Sequence, residues 1–404
     1  MKPPTDVLAA QMTAADLGTG DEPMIRLVDS LLQEAVRMRA SDIHIEPLAD
    51  RMRVRYRVDG VLRDVSNPPK PLQGSMTSRI KIMAGLNIAE KRHPQDGRLE
   101  IAFQGNPLDV RVSTLPALHG ESIVMRLLNR TQSLKGLHDL TLSETDRRRW
   151  EALIHRPYGM VLVTGPTGSG KTTTLYATLT FLNRPDRKLI TVEDPVEYQL
   201  AGINQVSVKA AIGMTFAAGL RAMLRQAPDV IMVGEIRDQE TAQIAIQAAL
   251  TGHLVFSTLH TNDSPSAVTR LIDMGIAPFL VASTVQGAMA QRLVRQICPS
   301  CKTQRLATPD EQAFLGEPPV DHVWEGRGCD HCHGSGYFGR LGIYELLEIT
   351  DALRGLIVSK SQASSLRTQA LQEGMCVLRD DGRRKVREGA TTMAEILRAT
   401  PETA

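Results

Sequence analysis

The sequence predicts an α/β protein in which a parallel sheet carries a phosphate-binding loop. Three observations favour this class. An apolar run over 160–164 leads into the spacing G-x-x-x-x-G-K-[ST], helical and apolar-strand segments alternate beyond residue 140, and several of these strands end in acidic residues. Strands that alternate with helices are typical of a parallel sheet, whose ligands bind at the carboxyl ends of the strands. A chain of 404 residues is also long for a single core, so we expect more than one domain.

The glycine-rich stretch is the strongest chemical signal. Its glycines let backbone N–H groups surround phosphate oxygens, and a helix that begins at Lys171 presents the positive end of its dipole. Lys171 would reach the β- and γ-phosphates, and the hydroxyl of Thr172 would bind Mg²⁺. The predicted nucleotide-binding residues are Gly165, Pro166, Thr167, Gly168, Ser169, Gly170, Lys171, Thr172 and Thr173. A glycine-rich turn without a ligand is the alternative, but the strand and helix patterns that flank the motif argue against it.

Acidic and histidine side chains follow three predicted strands in this half of the chain. Glu193 follows the strand 189–192, Glu235 closely follows the strand 230–233, and His260 closely follows the strand 254–258. Carboxylates at such positions hold Mg²⁺ directly or through water, and one of them can orient the water that attacks a phosphate. Beside a phosphate loop they predict a nucleotide-hydrolysis site, with unrelated surface loops as the alternative.

The first part of the chain, residues 21–130, is predicted to be a small α+β domain. The expected elements are a helix from Met24 to Met38 capped by Asp21, strands at 43–45, 51–58 and 61–62, a helix at 80–89, and strands at 98–103, 108–112 and 121–128. Asp59 and Gly60 predict a type I′ hairpin turn. The strand 51–58 places four arginines on one face. A polyanion site is one interpretation of that face, and a solvated face or a subunit contact is the favoured one.

Four cysteines form a separate predicted site. The pairs Cys298-x-x-Cys301 and Cys329-x-x-Cys332 are typical of tetrathiolate zinc, although their separation exceeds the usual gap of about 15–20 residues. Four thiolates fill the coordination sphere of zinc and leave no catalytic position. Structural zinc is the favoured interpretation. An empty or redox-active cluster is the alternative, and two nearby histidines, at 331 and 333, are substitute ligands.

Composition and charge exclude several classes of function. The 47 basic residues nearly balance the 45 acidic ones, and aromatic residues make up only 4% of the chain. Neither overall charge nor base stacking therefore supports a nucleic-acid partner. No apolar run approaches the roughly 18 residues of a membrane span, and the first residues do not form a secretory signal. Cytoplasmic residence is the default expectation.

Taken together, the motifs resemble the secretion ATPase superfamily of type II secretion and type IV pilus assembly, and within it the general secretion pathway protein E group. The matching segments run in family order through most of the chain: SDIHIEP (41–47), QDGR (95–98), STLPALHGESIVMRLL (113–128), GPTGSGKTTTLY (165–176), ITVEDPVEY (190–198), DVIMVGEIRD (229–238), LTGHLVFSTLHTN (250–262), AQRLVRQICPSC (290–301) and GYFGRLGIYELL (336–347).

The resemblance implies a RecA-like P-loop ATPase domain that follows a PAS-like α+β domain, with a zinc-binding tetracysteine insertion and a helical C-terminus. The predicted boundaries are a disordered N-terminus over 1–20, the PAS-like domain over 21–130, a linker over 131–139, the ATPase core over 140–297, the tetracysteine module over 298–340 and the helical C-terminal subdomain over 341–404.

The resemblance also assigns roles to individual residues of the second half. Lys171 and Thr172 correspond to the phosphate and Mg²⁺ contacts, and Glu193 corresponds to the residue that activates water. Glu235 stands at the Walker B position, where it would organise Mg²⁺ and water. His260 belongs to a histidine box that senses the γ-phosphate.

Four further positions are marked by the resemblance alone. His253 is a second candidate of the histidine box. Arg98 and Arg111 match arginines of the N-terminal domain that reach the phosphates and act as arginine fingers. Ala227 stands where the family usually has aspartate, so we expect the activity to be altered rather than lost.

The implied function is a homohexameric ATPase that uses ATP, Mg²⁺ and Zn²⁺ to drive pseudopilus assembly in type II secretion. Its expected partners are an inner-membrane platform protein and a cytoplasmic membrane-anchor protein, with anionic lipid as an optional contact, so the protein would be peripheral on the inner membrane. Larger members of the superfamily carry another N-terminal domain, which docks on the membrane-anchor partner, whereas only residues 1–20 precede the first matched helix here. We therefore expect either a shortened form or a different mode of docking. The alternatives are a type IV pilus extension ATPase, a nucleotide-binding scaffold without turnover and a nucleic-acid-translocating ATPase, which the near-neutral charge disfavours.

Overall fold

The computed structural model describes residues 22–103, 106–128 and 135–400. The chain separates into two compact units, Met1–Ser133 and Leu134–Ala404. The predicted disordered N-terminus over 1–20, the predicted helix cap Asp21 and residues 131–134 of the predicted linker lie outside the described residues.

The first unit is a six-stranded antiparallel sheet with two helices packed into its core. Its elements, in chain order, are α1 (Glu22–Arg37), β1 (Ala40–Pro47), β2 (Met52–Val58), β3 (Val61–Ser66), α2 (Gln73–Met83), β4 (Gln95–Phe103), β5 (Asn106–Ala117) and β6 (Gly120–Leu128). The strand order is β3-β2-β1-β6-β5-β4. Apolar residues of both helices and alternate residues of the strands form one core, as the period of two along a half-buried strand requires.

The predicted elements of this unit are present, with one helix displaced. The hairpin turn at Asp59 and Gly60 is confirmed, because both residues have the positive φ of a type I′ turn, 50° and 86°. The helix predicted over 80–89 is wrong in position, since α2 ends at Met83 and Gly85 follows with a φ of 67°. A left-handed glycine just beyond the last turn commonly ends a helix. Strands β1, β3, β4 and β5 extend beyond their predicted ranges.

Each arginine along β2, including Arg51 just before it, forms an ion pair with a nearby carboxylate. The pairs are Arg51–Asp50 at 2.9 Å, Arg53–Glu46 at 2.9 Å, Arg55–Glu46 at 2.7 Å and Arg57–Asp42 at 3.4 Å. Opposite charges on neighbouring strands attract one another, so this geometry lends no support to the polyanion interpretation. The face is a polar surface whose arginines are all paired within the unit.

The second unit is built on a mixed sheet of seven strands. Its elements are α3 (Glu144–Ile154), β7 (Gly159–Thr164), α4 (Lys171–Leu182), β8 (Leu189–Glu193), β9 (Asn204–Ser207), α5 (Phe216–Met223), β10 (Val230–Val233), α6 (Gln239–Leu250), β11 (Leu254–Leu259), α7 (Ser264–Asp273), α8 (Pro278–Thr284), β12 (Val285–Ile297), β13 (Lys302–Leu306), α9 (Pro309–Leu315), β14 (His322–Gly326), β15 (Tyr337–Glu348), α10 (Asp351–Val358), α11 (Ala363–Gln372), α12 (Leu378–Arg387) and α13 (Met393–Ala399). The strand order is β15-β12-β7-β11-β10-β8-β9, and only the β12–β15 pair is antiparallel among these described strands.

The predicted parallel core of this sheet is confirmed. The strands expected at 160–164, 189–192, 230–233 and 254–258 are β7, β8, β10 and β11, and every residue in them is buried. Strands buried on both faces read as continuous apolar runs, which is why the sequence located them. Their carboxyl ends meet at one edge, so the segments that follow them lie close together.

The C-terminal part is helical, but not from residue 341 as predicted. Residues 337–348 form β15, which pairs with β12 along almost its whole length, and the first helix after it begins at Asp351. The predicted tetracysteine module is therefore an insertion between two paired strands of the main sheet. The small β13–β14 sheet lies within this insertion. Because the inserted residues separate β12 from β15 in sequence, local sequence patterns do not predict that the two strands pair.

Ala227 lies on the connection between α5 and β10, at the amino edge of the parallel strands. Its neighbour Gln226 accepts a hydrogen bond from Lys188, which precedes β8 at the same edge. Within this unit, Ala227 therefore lies at the edge of the sheet opposite the carboxyl ends of the parallel strands. No contact among the described residues links it to the phosphate loop, so the structure does not support the altered activity that we expected from this position. Ala227 has a φ of 47°, which alanine adopts at a cost and aspartate tolerates better. The aspartate that the family usually has at this position would therefore fit the backbone conformation better than alanine does.

We expect Ala227→Gly to raise the free energy of unfolding by about 1 kcal/mol, because glycine removes the left-handed strain. The side chain is exposed and makes no core contact, so no packing is lost. Thermal unfolding of the variant and the parent protein measures the change, and ATP turnover should stay the same. A lower unfolding temperature for the glycine variant would contradict the strain argument.

Candidate nucleotide and metal sites

The glycine-rich loop joins β7 to α4 at the carboxyl edge of the sheet. Gly165, Gly168 and Gly170 have φ values of 150°, 77° and 88°, a conformation that side chains rarely adopt. A Cβ atom on Gly165 would lie 2.5 Å from the carbonyl oxygen of Gln291 and 2.6 Å from Ser169 Oγ. The loop backbone therefore adopts conformations that glycine allows, as the glycine-rich motif predicts.

Backbone carbonyl groups of the loop hold the side chain of Lys171 in place. Its Nζ atom donates to the carbonyl oxygens of Gly165 at 2.8 Å and Pro166 at 3.0 Å. Burial lowers the pKa of Lys171 to about 8; the carboxylate of Glu235 opposes that shift and the guanidinium of Arg292 adds to it. The ammonium thus lies in a partly buried position where phosphate oxygens would replace the two carbonyls.

A buried glutamine supports the loop from β12. Gln291 Nε2 donates to the carbonyl oxygen of Ser169 at 2.7 Å, and Gln291 Oε1 accepts from Thr174 Oγ1 at 2.8 Å. Ser169 Oγ is buried without a hydrogen-bond partner. An orphaned buried hydroxyl in a glycine-rich loop, beside a lysine whose ammonium contacts the same loop, fits a bound anion. Thr172, at the start of α4, is exposed and free to contact a ligand.

Glu235 and His260 meet beside this loop. Glu235 Oε2 lies 3.2 Å from His260 Nε2, and Glu235 Oε1 lies 2.8 Å from Arg237 Nη2. Burial raises the pKa of Glu235, but the hydrogen bonds from Arg237 and His260 outweigh it and hold the pKa below its ordinary value. The carboxylate is therefore ionised near neutral pH, as a Mg²⁺ ligand must be.

Glu193, the last residue of β8, is almost fully buried. Its two carboxylate oxygens accept hydrogen bonds from Tyr176, Thr191 and Gln205. It lies at the same edge of the sheet as Glu235, since β8 and β10 are parallel neighbours in register. The structure therefore confirms the strand-end placement from which the sequence argument started.

Of three other predicted residues, one lies in the same unit as the loop and two belong to the first unit. His253 is at the amino end of β11, where its Nδ1 lies 3.0 Å from the carbonyl oxygen of Ala248, so within this unit it is not beside His260. Arg98 and Arg111 belong to the first unit and stand opposite each other on β4 and β5. Their contact with phosphate stays a prediction.

Sequence reasoning did not single out the residues that support the site. Gln291 and Arg292 lie within the matching segment 290–301, but the resemblance assigns no role to them. Arg292 Nη2 donates to the carbonyl oxygen and Oδ1 of Asn262, both at 3.1 Å, which ties β12 to the histidine-box segment. Tyr176 and Gln205 also lacked a local signal, because their importance depends on contacts between distant segments.

The four predicted cysteines come together. Their sulfur atoms all lie within 4.8 Å of one another, with Cys298–Cys329 and Cys301–Cys332 at 3.9 Å and Cys329–Cys332 at 3.8 Å. A tetrahedron with Zn–S bonds of ~2.3 Å has edges of ~3.8 Å, whereas a disulfide needs ~2.05 Å. The donor set fits a tetrathiolate metal. Of the substitute ligands, neither histidine belongs to this cluster of described residues.

The environment of the cluster stabilises negative charge on one sulfur atom, Cys332 Sγ. Backbone N–H groups of Cys329 and Gly336 each donate to Cys332 Sγ at 3.2 Å. Burial raises the pKa of the Cys332 thiol, but these donors outweigh it and bring the pKa to about 6. Burial and the adjacent thiols instead raise the pKa of Cys301 to about 12. Four thiolates therefore do not form together unless a cation compensates their charge.

None of the helices in the described ranges has the length and apolar character needed to cross a membrane.

Comparison with known sequences gives the following matches. A model of the family described as Type II/IV secretion system protein matches residues 18–398. Type II secretion system protein E of Pseudomonas aeruginosa is 54% identical over 95% of this chain and 76% of its own length. Type II secretion system ATPase E of Vibrio cholerae is 50% identical over 95% and 76% of the two chains. The type IV pilus assembly ATPase PilB of Myxococcus xanthus is 48% identical over 98% and 70%.

The fold also resembles solved structures. The pilus retraction motor PilT with bound ADP is 26% identical over 92% of this chain and 96% of its own, with a TM-score of 0.59. The ATPase DotB of Legionella pneumophila is 23% identical over 91% and 93% of the two chains, with a TM-score of 0.66.

Proposed function

Because the chain belongs to the Type II/IV secretion system protein family, we propose that it is an ATPase that drives type II protein secretion. The observation that carries this proposal is the meeting of the phosphate loop, Lys171, Glu235 and His260 at one edge of a parallel sheet. Phosphoryl transfer needs little covalent chemistry from the protein, so placed charges and hydrogen bonds supply most of the catalysis.

Each residue of this edge has a distinct proposed role. The backbone of 165–173 and the ammonium of Lys171 bind the β- and γ-phosphates of ATP. Thr172 and Glu235 would hold Mg²⁺, which neutralises charge on the phosphates. Glu193 orients and activates the attacking water. His260 responds to the γ-phosphate through its contact with Glu235.

The first unit supplies two more proposed contacts. Arg98 and Arg111 are directly opposed on neighbouring strands, so both belong to one position of the sheet. We propose that in a homohexamer these arginines act as arginine fingers toward the phosphates. Hydrolysis then weakens their attraction, and the resulting domain rotation drives the machinery.

The proposed partners follow from this role. An inner-membrane platform protein would receive the rotation and assemble the pseudopilus, and a cytoplasmic membrane-anchor protein, with or without anionic lipid, would hold the hexamer at the inner membrane. The tetracysteine insertion would bind structural Zn²⁺. The 48% identity with a type IV pilus assembly ATPase makes pilus extension the second candidate function.

Phosphate release by the purified chain tests the proposal. We expect ATP hydrolysis in a species of hexameric mass with Mg²⁺ present, and a loss of at least roughly 100-fold when Mg²⁺ is left out, since the cation carries much of the charge stabilisation. Tight ATP binding without turnover, with and without anionic lipid, would instead support the scaffold interpretation. Complementation of strains lacking either the secretion ATPase or the pilus ATPase separates the two candidate functions.

A further inference from the structure

The carboxylate of Glu193 is enclosed by donors from three different elements. Tyr176, on the helix α4 that starts at the phosphate loop, donates its hydroxyl hydrogen to Glu193 Oε2. Thr191, two residues earlier on β8, donates from Oγ1 to Glu193 Oε1 at 2.5 Å, and Gln205 on the edge strand β9 donates from Nε2 to the same oxygen at 3.2 Å. Both carboxylate oxygens are therefore held.

The donors are themselves fixed. Gln205 Oε1 accepts from the backbone N–H of Leu200 at 2.6 Å, and its Nε2 also donates to the carbonyl oxygen of Tyr198 at 3.0 Å, so the side-chain amide cannot rotate without losing both bonds. The hydroxyl of Tyr176 accepts from the backbone N–H of Glu197 at 3.3 Å. A carboxylate surrounded by fixed partners has one orientation, which is what preorganised catalysis requires.

We infer that Tyr176, Thr191 and Gln205 are positioning residues that set the orientation of Glu193 for water activation. The inference rests on the proposed role of Glu193 in ATP hydrolysis. None of the three is expected to touch the nucleotide, since each of them donates a hydrogen bond to Glu193.

A purely structural role for this network is the competing explanation, because any buried carboxylate needs partners. The two explanations differ in steady-state kinetics. A positioning residue affects kcat while leaving the KM for ATP nearly constant, whereas a loss of folded protein lowers the active fraction and the unfolding temperature.

The experiment uses the full chain in its assembled form, with Mg²⁺ and ATP. Tyr176→Phe and Thr191→Val each remove one donor from Glu193 at nearly constant volume, and we expect kcat to fall roughly 10- to 100-fold with KM changed by less than about twofold. Thr191→Ser keeps the donor and should restore most of the lost kcat. Tyr198→Phe is the matched control, since the Tyr198 ring packs edge-on against Tyr176 at 6.3 Å and its hydroxyl is not among the donors to Glu193.

The result that overturns the inference is a kcat within about twofold of the parent protein for both Tyr176→Phe and Thr191→Val, or an equal loss in Tyr198→Phe. Glu193→Gln separates this failure from that of the proposed function. If Glu193→Gln is inactive and the positioning variants are unaffected, only the inference fails. If Glu193→Gln keeps full activity, the proposed role of Glu193 fails and the inference with it.

Discussion

Lys171→Ala should reduce ATP hydrolysis by roughly 100- to 1,000-fold, the loss usual when one placed charge or donor is removed from a transition state. Lys171 Nζ lies 2.8 Å and 3.0 Å from two carbonyl oxygens of the phosphate loop, so its ammonium is already where the β- and γ-phosphates would bind. Without it, charge that develops during phosphoryl transfer loses a cation that is fixed at the loop. Phosphate release with Mg²⁺ and saturating ATP measures the effect.

Lys188→Ala provides a matched control, because the substitution is the same and Lys188 lies before β8, at the opposite edge of the sheet. Its Nζ contacts the carbonyl oxygen of Gln226 rather than any part of the loop. We expect unchanged turnover for that variant and similar unfolding temperatures for both. Full activity of Lys171→Ala, with folded protein confirmed by circular dichroism, would show that the loop does not bind the reacting phosphates.

The sequence predicted the reactive edge of the second unit because its signals are local. A phosphate loop needs glycines, a lysine and a helix start within a few residues, and buried parallel strands are recognisable as apolar runs. Glu193, Glu235 and His260 could be grouped from strand ends alone, since the carboxyl ends of parallel strands share one edge. The structure places these residues as that argument requires.

The supporting contacts could not be predicted in the same way. Gln291 supports the phosphate loop only because β12 lies beside β7, and β12 pairs with β15 across the whole cysteine insertion. Gln205 reaches Glu193 from a four-residue edge strand with no apolar pattern. The role of such residues depends on contacts between segments that are distant in sequence. A single sequence carries no periodic signal for contacts of this kind. The same holds for the ion pairs of the arginine face.

The arrangement of the cysteines also shows where spacing carries less information than geometry. The gap between the two C-x-x-C pairs is longer than usual, which left an empty or redox-active cluster as an alternative. The folded chain uses that gap for β13, α9 and β14, and still brings four sulfur atoms to the separations of a tetrahedral metal site. Leu315 and Val323 of the insertion belong to one apolar cluster with residues of β12, β15 and α12.

Removal of zinc should open the tetracysteine insertion while the parallel sheet stays folded. We expect the double variant Cys301→Ser/Cys332→Ser to bind no zinc and to be cleaved by protease within 298–336 at least roughly tenfold faster, because structural zinc contributes folding free energy directly. The β13–β14 sheet has few buried side chains of its own, and Leu306 is 71% exposed. Metal analysis by mass spectrometry and limited proteolysis measure the two effects.

Cys376→Ser is the control for this experiment, because Cys376 is a free cysteine outside the cluster. Its zinc content and protease resistance should equal those of the parent protein, which would separate loss of a ligand from loss of any thiol. A parent protein that carries no zinc yet resists protease, with its cluster thiols oxidised, would contradict the metal assignment and favour the redox-active alternative. Sulfur separations of 3.8 Å and 3.9 Å favour the metal assignment, since a disulfide would have to draw two of these atoms together by nearly 2 Å.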